Sequence, residues 1–113
     1  MKTLVIIGAG GHGRVVADCA KILNCYNKIV FLDDSFKDYK QSGEWQIVGS
    51  VKDYTQHIRT SDIFVAIGNN HQRGKILEQL ESADANIISL IHPSAVISPH
   101  TVIGSGVVVC IVR

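Results

Sequence analysis

The sequence predicts an α/β fold: a small doubly wound parallel sheet with helices on both faces over residues 1–90, then the first coil of a left-handed parallel β-helix over residues 91–113. Three observations carry this. Short apolar runs alternate with helically spaced segments through the first ninety residues, the pattern of parallel strands joined by right-handed crossovers. A glycine-rich turn lies between the first apolar run and the first helical segment. From residue 91 onward, aliphatic residues recur every six positions.

The elements follow in order. "KTLVIIG" reads as the first strand, and from Gly11 to Asn24 the residues Val15, Val16, Cys19, Ala20 and Leu23 recur at helical spacing as one apolar face. "KIVFLDD" is the second strand, and the polar "SFKDYKQSGEW" after it reads as a loop with a mobile tip. "WQIVG" is a short third strand. Ser50 then stands as N-cap before "VKDYTQHI", with Asp53 three residues on as a capping-box partner. "SDIFVAIG" is a strand, "NNHQRGKILEQLES" a helix and "NIISLI" the last strand of the set.

Composition excludes several function classes. With 46% hydrophobic residues, 19% charged and a formal charge of +1, the 113-residue chain carries no general attraction for nucleic acid or anionic membrane. The opening "LVIIGAG" is too short and glycine-rich for a signal peptide, and nothing later approaches the roughly 20 apolar residues of a membrane span. A cytoplasmic protein is expected. Cys19, Cys25 and Cys110 are odd in number and lack CxxC spacing, so they read as reduced, buried small hydrophobes rather than a disulfide framework or metal site.

The first turn carries the chemistry. Gly8, Gly10 and Gly13 satisfy G-x-G-x-x-G between a strand and a helix, where glycine permits a tight turn and lets backbone N–H groups approach a diphosphate at the positive helix terminus. The fold reading is therefore Rossmann-like. Asp33 lies 20 residues beyond Gly13 at a strand end, where a carboxylate accepts from a ribose hydroxyl; Asp34 shares that work or caps the following loop. The plainer alternative is that the glycines serve helix packing and the acids form a solvated turn. Motif alone suggests NAD, but an α/β pattern ending near residue 90 supplies about one mononucleotide half, which suits a uridine diphosphate derivative better. NAD is the runner-up.

A second candidate segment is "AIGNNHQRGKIL", where Gly68 ends a strand and Asn69 or Asn70 caps the next helix toward the same sheet edge. Arg73, in the first turn of that helix, reaches a phosphate or stays a surface side chain. His12 donates to a ligand or to a neighbouring carbonyl, while His57 and His71 have mainly surface explanations. In the tail, Ile91, Ile97, Ile103 and Val109 are spaced by six, with Ala95, Thr101 and Val107 four places on. Hexads of this kind form the sides of a triangular β-helical coil, each aliphatic residue pointing inward. A single coil lacks stacking neighbours, so the tail is expected to be loosely ordered or covered by another chain.

Together, "GAGGHG", "FLDD", "AIGNN" with a nearby arginine, and "LIHPSAVISP" leading into hexads resemble the sialic acid O-acetyltransferase or bacillosamine N-acetyltransferase family of bacterial sugar acyltransferases. The resemblance covers essentially the whole chain. It implies an N-terminal domain holding a UDP-amino-sugar and a C-terminal β-helix that binds acetyl-CoA and assembles as a homotrimer. It further implies that Gly10, Gly11, His12 and Gly13 lie along the diphosphate and sugar, that Asp33 and Asp34 meet the uridine, and that Gly68, Asn69 and Asn70 complete the pocket. In the family a β-helix histidine with an adjacent carboxylate acts as general base in acyl transfer. His92 is followed by Pro93 and His100 by Thr101, so neither forms that pair and no catalytic residue is carried over. The ending "VVCIVR" departs from the hexads, which reads as an incomplete β-helix, a chain inactive alone and no acetyl-CoA bound by it. Two classes stay open: the substrate-binding half of an acetyltransferase, or a stand-alone module that binds UDP or NAD without catalysis.

Overall fold

A central strand of a doubly covered sheet needs apolar side chains on both faces, and β1 (Lys2–Ile7) has them: Leu4 and Ile6 lie in one buried cluster, Val5 and Ile7 in the other. The chain turns at Gly8 into α1 (Gly11–Leu23) and returns in β2 (Tyr26–Leu32). A 3-10 turn at Asp34–Lys37 leads to β3 (Gln41–Ser42) and β4 (Trp45–Gly49), and a second one at Val51–Gln56 leads to β5 (Ser61–Val65). Then come α2 (Asn70–Ser82) and β6 (Asn86–Ile87). Two short strands, β7 (Leu90–Ile91) and β8 (Val108–Val109), pair with each other in parallel, apart from the main sheet. This computed structural model describes residues 2–23, 26–88, 90–91 and 108–109.

The main sheet has the order β3-β4-β2-β1-β5-β6, parallel throughout except for the antiparallel β3–β4 pair. The chain starts in the middle, winds outward through β2 and β4, then crosses to the other side of β1 at β5. That reversal puts the coverings on opposite faces. Val16, Ala17 and Ala20 of α1 pack with Leu4, Ile6, Phe31 and Phe64 on one side. On the other, Leu80 of α2 and the half-buried Val51, Tyr54 and Ile58 cover Val5, Ile7, Val30 and Ile63. The mixed α/β sheet with helices on both faces is the one expected from sequence.

Several elements differ from the sequence reading. Val15 is 49% exposed, because it lies about 120° around the helix from the centre of the buried face, which is Val16, Ala17, Cys19 and Ala20. "SFKDYKQSGEW" is not an open loop but a capped 3-10 turn followed by a hairpin, whose tight reversal uses Gly43 at φ +61. Ser50 does precede a helical segment, with its N–H donating to Asp53 Oδ2 at 2.9 Å, but the segment is 3-10 rather than α. "NIISLI" divides: Asn86–Ile87 joins β5, whereas Leu90–Ile91 belongs to the pair with β8. Cys19 is buried as expected, while Cys25, Cys110 and the hexads between residues 92 and 107 lie outside the described residues.

Candidate functional site

The reversal of the chain between β1 and β5 opens a crevice at the carboxyl ends of those strands, the place where open α/β sheets take their ligands. Four glycines there share three different jobs. Gly8 has φ +110, and a Cβ on it would lie 2.6 Å from the Ala66 carbonyl oxygen, so the turn and the contact with the β5 end both require glycine. A Cβ on Gly13 would fall on the Gly8 carbonyl oxygen, so Gly13 lets α1 approach the strand end. Gly10 and Gly11 face open space with nothing within 4 Å of a Cβ. These are the positions where backbone can meet a ligand. The first helical bond is Arg14 N–H to Gly10 C=O at 3.0 Å, which leaves the Gly11, His12 and Gly13 N–H groups at the positive end of α1. His12 is exposed in that first turn.

Ala9, between these glycines, is pinned from two sides. Asp33 Oδ2 accepts its N–H at 2.8 Å, and the Ser42 hydroxyl donates to its carbonyl at 2.6 Å. Asp33 Oδ1 also accepts from Ser35 N–H at 2.8 Å, capping the first 3-10 turn. Burial pushes the Asp33 carboxyl up, but the bonds from Ser35 and from the Ala9 N–H outweigh it and hold the group below its ordinary value of 3.8. Asp33 therefore fastens the glycine turn to the β2 end, whatever else it meets. Asp34 lies beyond it, exposed, with Oδ1 accepting from Val51 N–H at 3.1 Å.

On the β5 side, Asn69 is the N-cap of α2, accepting from Gln72 N–H at 3.0 Å. Gly68 is open, like Gly10. Asn70 Oδ1 accepts from Arg73 Nη2 at 2.8 Å, which turns the guanidinium along the start of its own helix. Both helix N-termini thus open toward the same edge. Between them lies a cleft of about 420 Å³ bounded by Gly8, Gly10, Asp33 and Asp34 on one side and by Ile67, Gln72, Lys75, Ile76 and Gln79 on the other, with Val51 closing one end. Gly8, Gly10, Asp33 and Asp34 lie together in its wall; Gly11, His12, Gly13, Gly68, Asn69, Asn70 and Arg73 lie at the neighbouring turns. Sequence reading missed Val51 and the α2 stripe Gln72, Lys75, Ile76 and Gln79. Their i, i+3, i+4, i+7 spacing marks one helix face, but half-polar, so it did not stand out as a core stripe. Among the described residues, no group of three or more His, Cys, Asp or Glu side chains gathers as for a metal, and no helix is long and apolar enough to cross a membrane.

Comparison with known proteins agrees with this fold. UDP-N-acetylbacillosamine N-acetyltransferase of Bacillus subtilis (strain 168) is 37% identical over 112 residues, which are 96% of this chain and 51% of that protein. The acetyltransferase domain of PglB from Neisseria gonorrhoeae FA1090, solved with acetyl coenzyme A, superposes with a TM-score of 0.83 at 38% identity, covering 95% of this chain and 52% of that one. PerB from Caulobacter crescentus, solved with CoA and GDP-perosamine, superposes at 0.81 with 30% identity over 96% of this chain and 51% of that one. The chain thus spans about half the length of these relatives. Residues 3–80 match the family model described as the PglD N-terminal domain, which is nearly all of the α/β sheet, and the chain belongs to that family.

Proposed function

We propose that the cleft holds a nucleotide sugar, a UDP-amino-sugar in the first instance, and that the chain is the substrate-binding part of an acetyl-CoA-dependent sugar N- or O-acetyltransferase. The observation that carries this reading is the convergence of two helix N-termini on one crevice, with Gly10 and Gly11 open where backbone N–H groups would meet a diphosphate. The Gly11, His12 and Gly13 N–H groups take the phosphates, Asp34 and the lower face of α2 take the nucleoside, and Gly68, Asn69 and Asn70 rim the sugar end. Arg73 faces that rim through Asn70. The parallel strands run β4-β2-β1-β5-β6, one full mononucleotide half and a second that stops at the two-residue β6, and this short second half favours a single nucleotide over NAD. Relatives support a nucleotide sugar too, one named for UDP-N-acetylbacillosamine and one solved with GDP-perosamine.

The reading extends to the tail. Leu90 pairs with Val108 and Ile91 with Val109, each partner three hexads along the chain, a spacing that supports one turn of a left-handed β-helix. In the whole enzyme that β-helix would bind acetyl-CoA, supply the general base and form the trimer, in the cytoplasm; the 113 residues by themselves hold too little of it to acetylate. A thermal-shift panel of UDP, UDP-sugars, NAD and CoA tests the proposal. UDP at one hundred times its dissociation constant stabilises by about 2.7 kcal/mol, with NAD and CoA silent. Stabilisation by NAD alone would replace this reading with the dinucleotide one.

A further inference from the structure

The cleft is short of positive charge for the ligand it would take. Among the described residues that wall it, Asp33 and Asp34 bring carboxylates and Lys75 alone brings a cation. A diphosphate entering there is a polyanion set beside like charges, which disfavours it unless a cation answers. The positive end of α1 supplies only about half a unit of charge. Asp33 is the smaller obstacle, since the N–H groups of Ala9 and Ser35 hold both its oxygens. Asp34 is exposed and accepts from Val51 N–H with Oδ1.

Other basic side chains near the turn face elsewhere. Arg14, in the first turn of α1, lies in a separate hollow on the hairpin side, its Cδ 3.5 Å from where a Cβ on Gly43 would be. Asn70 turns Arg73 along the start of α2. Lys37 and Lys52 belong to the hollow beyond Asp34. Lys75 differs from all of these. Half-buried Ile76 packs on the sheet and sets the rotation of α2, which leaves Lys75, one residue before it, on the cleft flank across from Gly8 and Gly10. Among the described residues its ammonium has no hydrogen bond or ion pair, and Glu78, three residues on, does not pair with it. We infer that Lys75 closes on the diphosphate from the α2 side, so that the phosphates lie between its ammonium and the N–H groups of Gly11, His12 and Gly13; this rests on the nucleotide reading above. A compact charge on a flexible four-carbon stem suits the task, because it crosses the cleft without needing a fixed geometry. The backbone groups set the position of the phosphates, and Lys75 offsets the field of Asp34.

Titration calorimetry of the 113-residue chain with UDP tests this. Lys75→Met, which keeps most of the stem, binds UDP about tenfold more weakly, the scale of one charge-assisted hydrogen bond. Its Tm without ligand stays at the wild-type value, because the exposed ammonium has no protein partner to lose. Lys75→Arg recovers most of the affinity. Lys28→Met controls for net charge, since Lys28 is near the start of β2, at the end of the sheet away from the cleft, and it leaves UDP affinity unchanged. Raising salt from about 50 to about 500 mM weakens UDP binding more in wild type than in Lys75→Met, because the screened charge is the one removed. UDP affinity that survives Lys75→Met, a parallel salt dependence in wild type and variant, or an equal loss in Lys28→Met overturns the role of Lys75 and leaves the nucleotide reading standing. Failure of the wild-type chain to bind UDP sinks both.

Discussion

Gly13→Ala tests the close packing of α1 on the sheet. The added Cβ would fall on the Gly8 carbonyl oxygen and sit 3.3 Å from Phe31 Cε1. Neither neighbour can step aside. Gly8 is held by its N–H bond to Leu32 C=O at 2.8 Å, and Phe31 is fully buried with its ring edge-on to Trp45 at 6.2 Å. Relief must come from α1 lifting away, which separates Val16, Ala17 and Ala20 from Leu4 and Ile6. Overpacking of this kind costs about 3 kcal/mol at its upper range, and alanine's better helix propensity returns about 1 kcal/mol. The net loss of about 2 kcal/mol corresponds to a Tm lower by roughly 8 to 16 °C in a domain near this size. Gly11→Ala is the control, since it is in the same first turn but has no atom within 4 Å of the new methyl. It should melt at or a few degrees above wild type. Melting followed by circular dichroism gives both numbers. If Gly13→Ala melts as high as Gly11→Ala, the contact with Gly8 does not constrain the fold and the assignment of packing to the third glycine is wrong.

Other outcomes follow from the same geometry. Gly10→Val should keep the wild-type Tm within about 1 kcal/mol of stability, because its side chain meets only open space, yet abolish UDP binding; retained titration heat would place the phosphates elsewhere. Asp33→Asn should cost about 1–2 kcal/mol at neutral pH, since an amide nitrogen would face the Ala9 or Ser35 N–H and the site is partly exposed. Because the folded Asp33 titrates below 3.8, its stabilisation is complete above that value and is lost as pH falls through the folded-state pKa. Urea midpoints of wild type and variant should therefore converge on acidification below about pH 4, and divergence there would reverse the assigned sign. Lys21→Met should leave Tm unchanged, because its 2.8 Å ion pair with Glu44 is between two exposed side chains; a clear drop would show that the pair anchors the hairpin.

The sheet was legible because its strands are buried on both faces. "LVII" and "IFV" are continuous apolar runs that only a central parallel strand explains, and both appear where expected. The glycine turn was legible in position, and only its three-dimensional surroundings separate its roles: Gly8 and Gly13 answer to protein atoms, Gly10 to open space. The hairpin was hidden because two-residue strands leave no periodicity; its one signal was Gly43. Asp33 was found for its place at a strand end, and its bond to Ser35 is a local cap, but its bond to Ala9 joins residues 24 apart in sequence, and no local pattern encodes such a bond. Val51 and Gln79 face the cleft only because the second 3-10 turn and α2 share one side of the sheet, a consequence of topology rather than of spacing.

The double fastening of Ala9 bears on the thermodynamics of recognition. With its N–H on Asp33 and its carbonyl on the Ser42 hydroxyl, the residue at the centre of the glycine loop has both flanking peptides held before any phosphate arrives. A glycine loop would otherwise surrender about 1–2 kcal/mol of backbone entropy per residue on capturing its ligand. Most of that ordering was completed when the chain folded, so the encounter starts from a cradle set in advance. The strut that sets it comes from the β3 hairpin, 33 residues away, and length changes at Gly43 would slacken the cradle without touching a single residue that lines it.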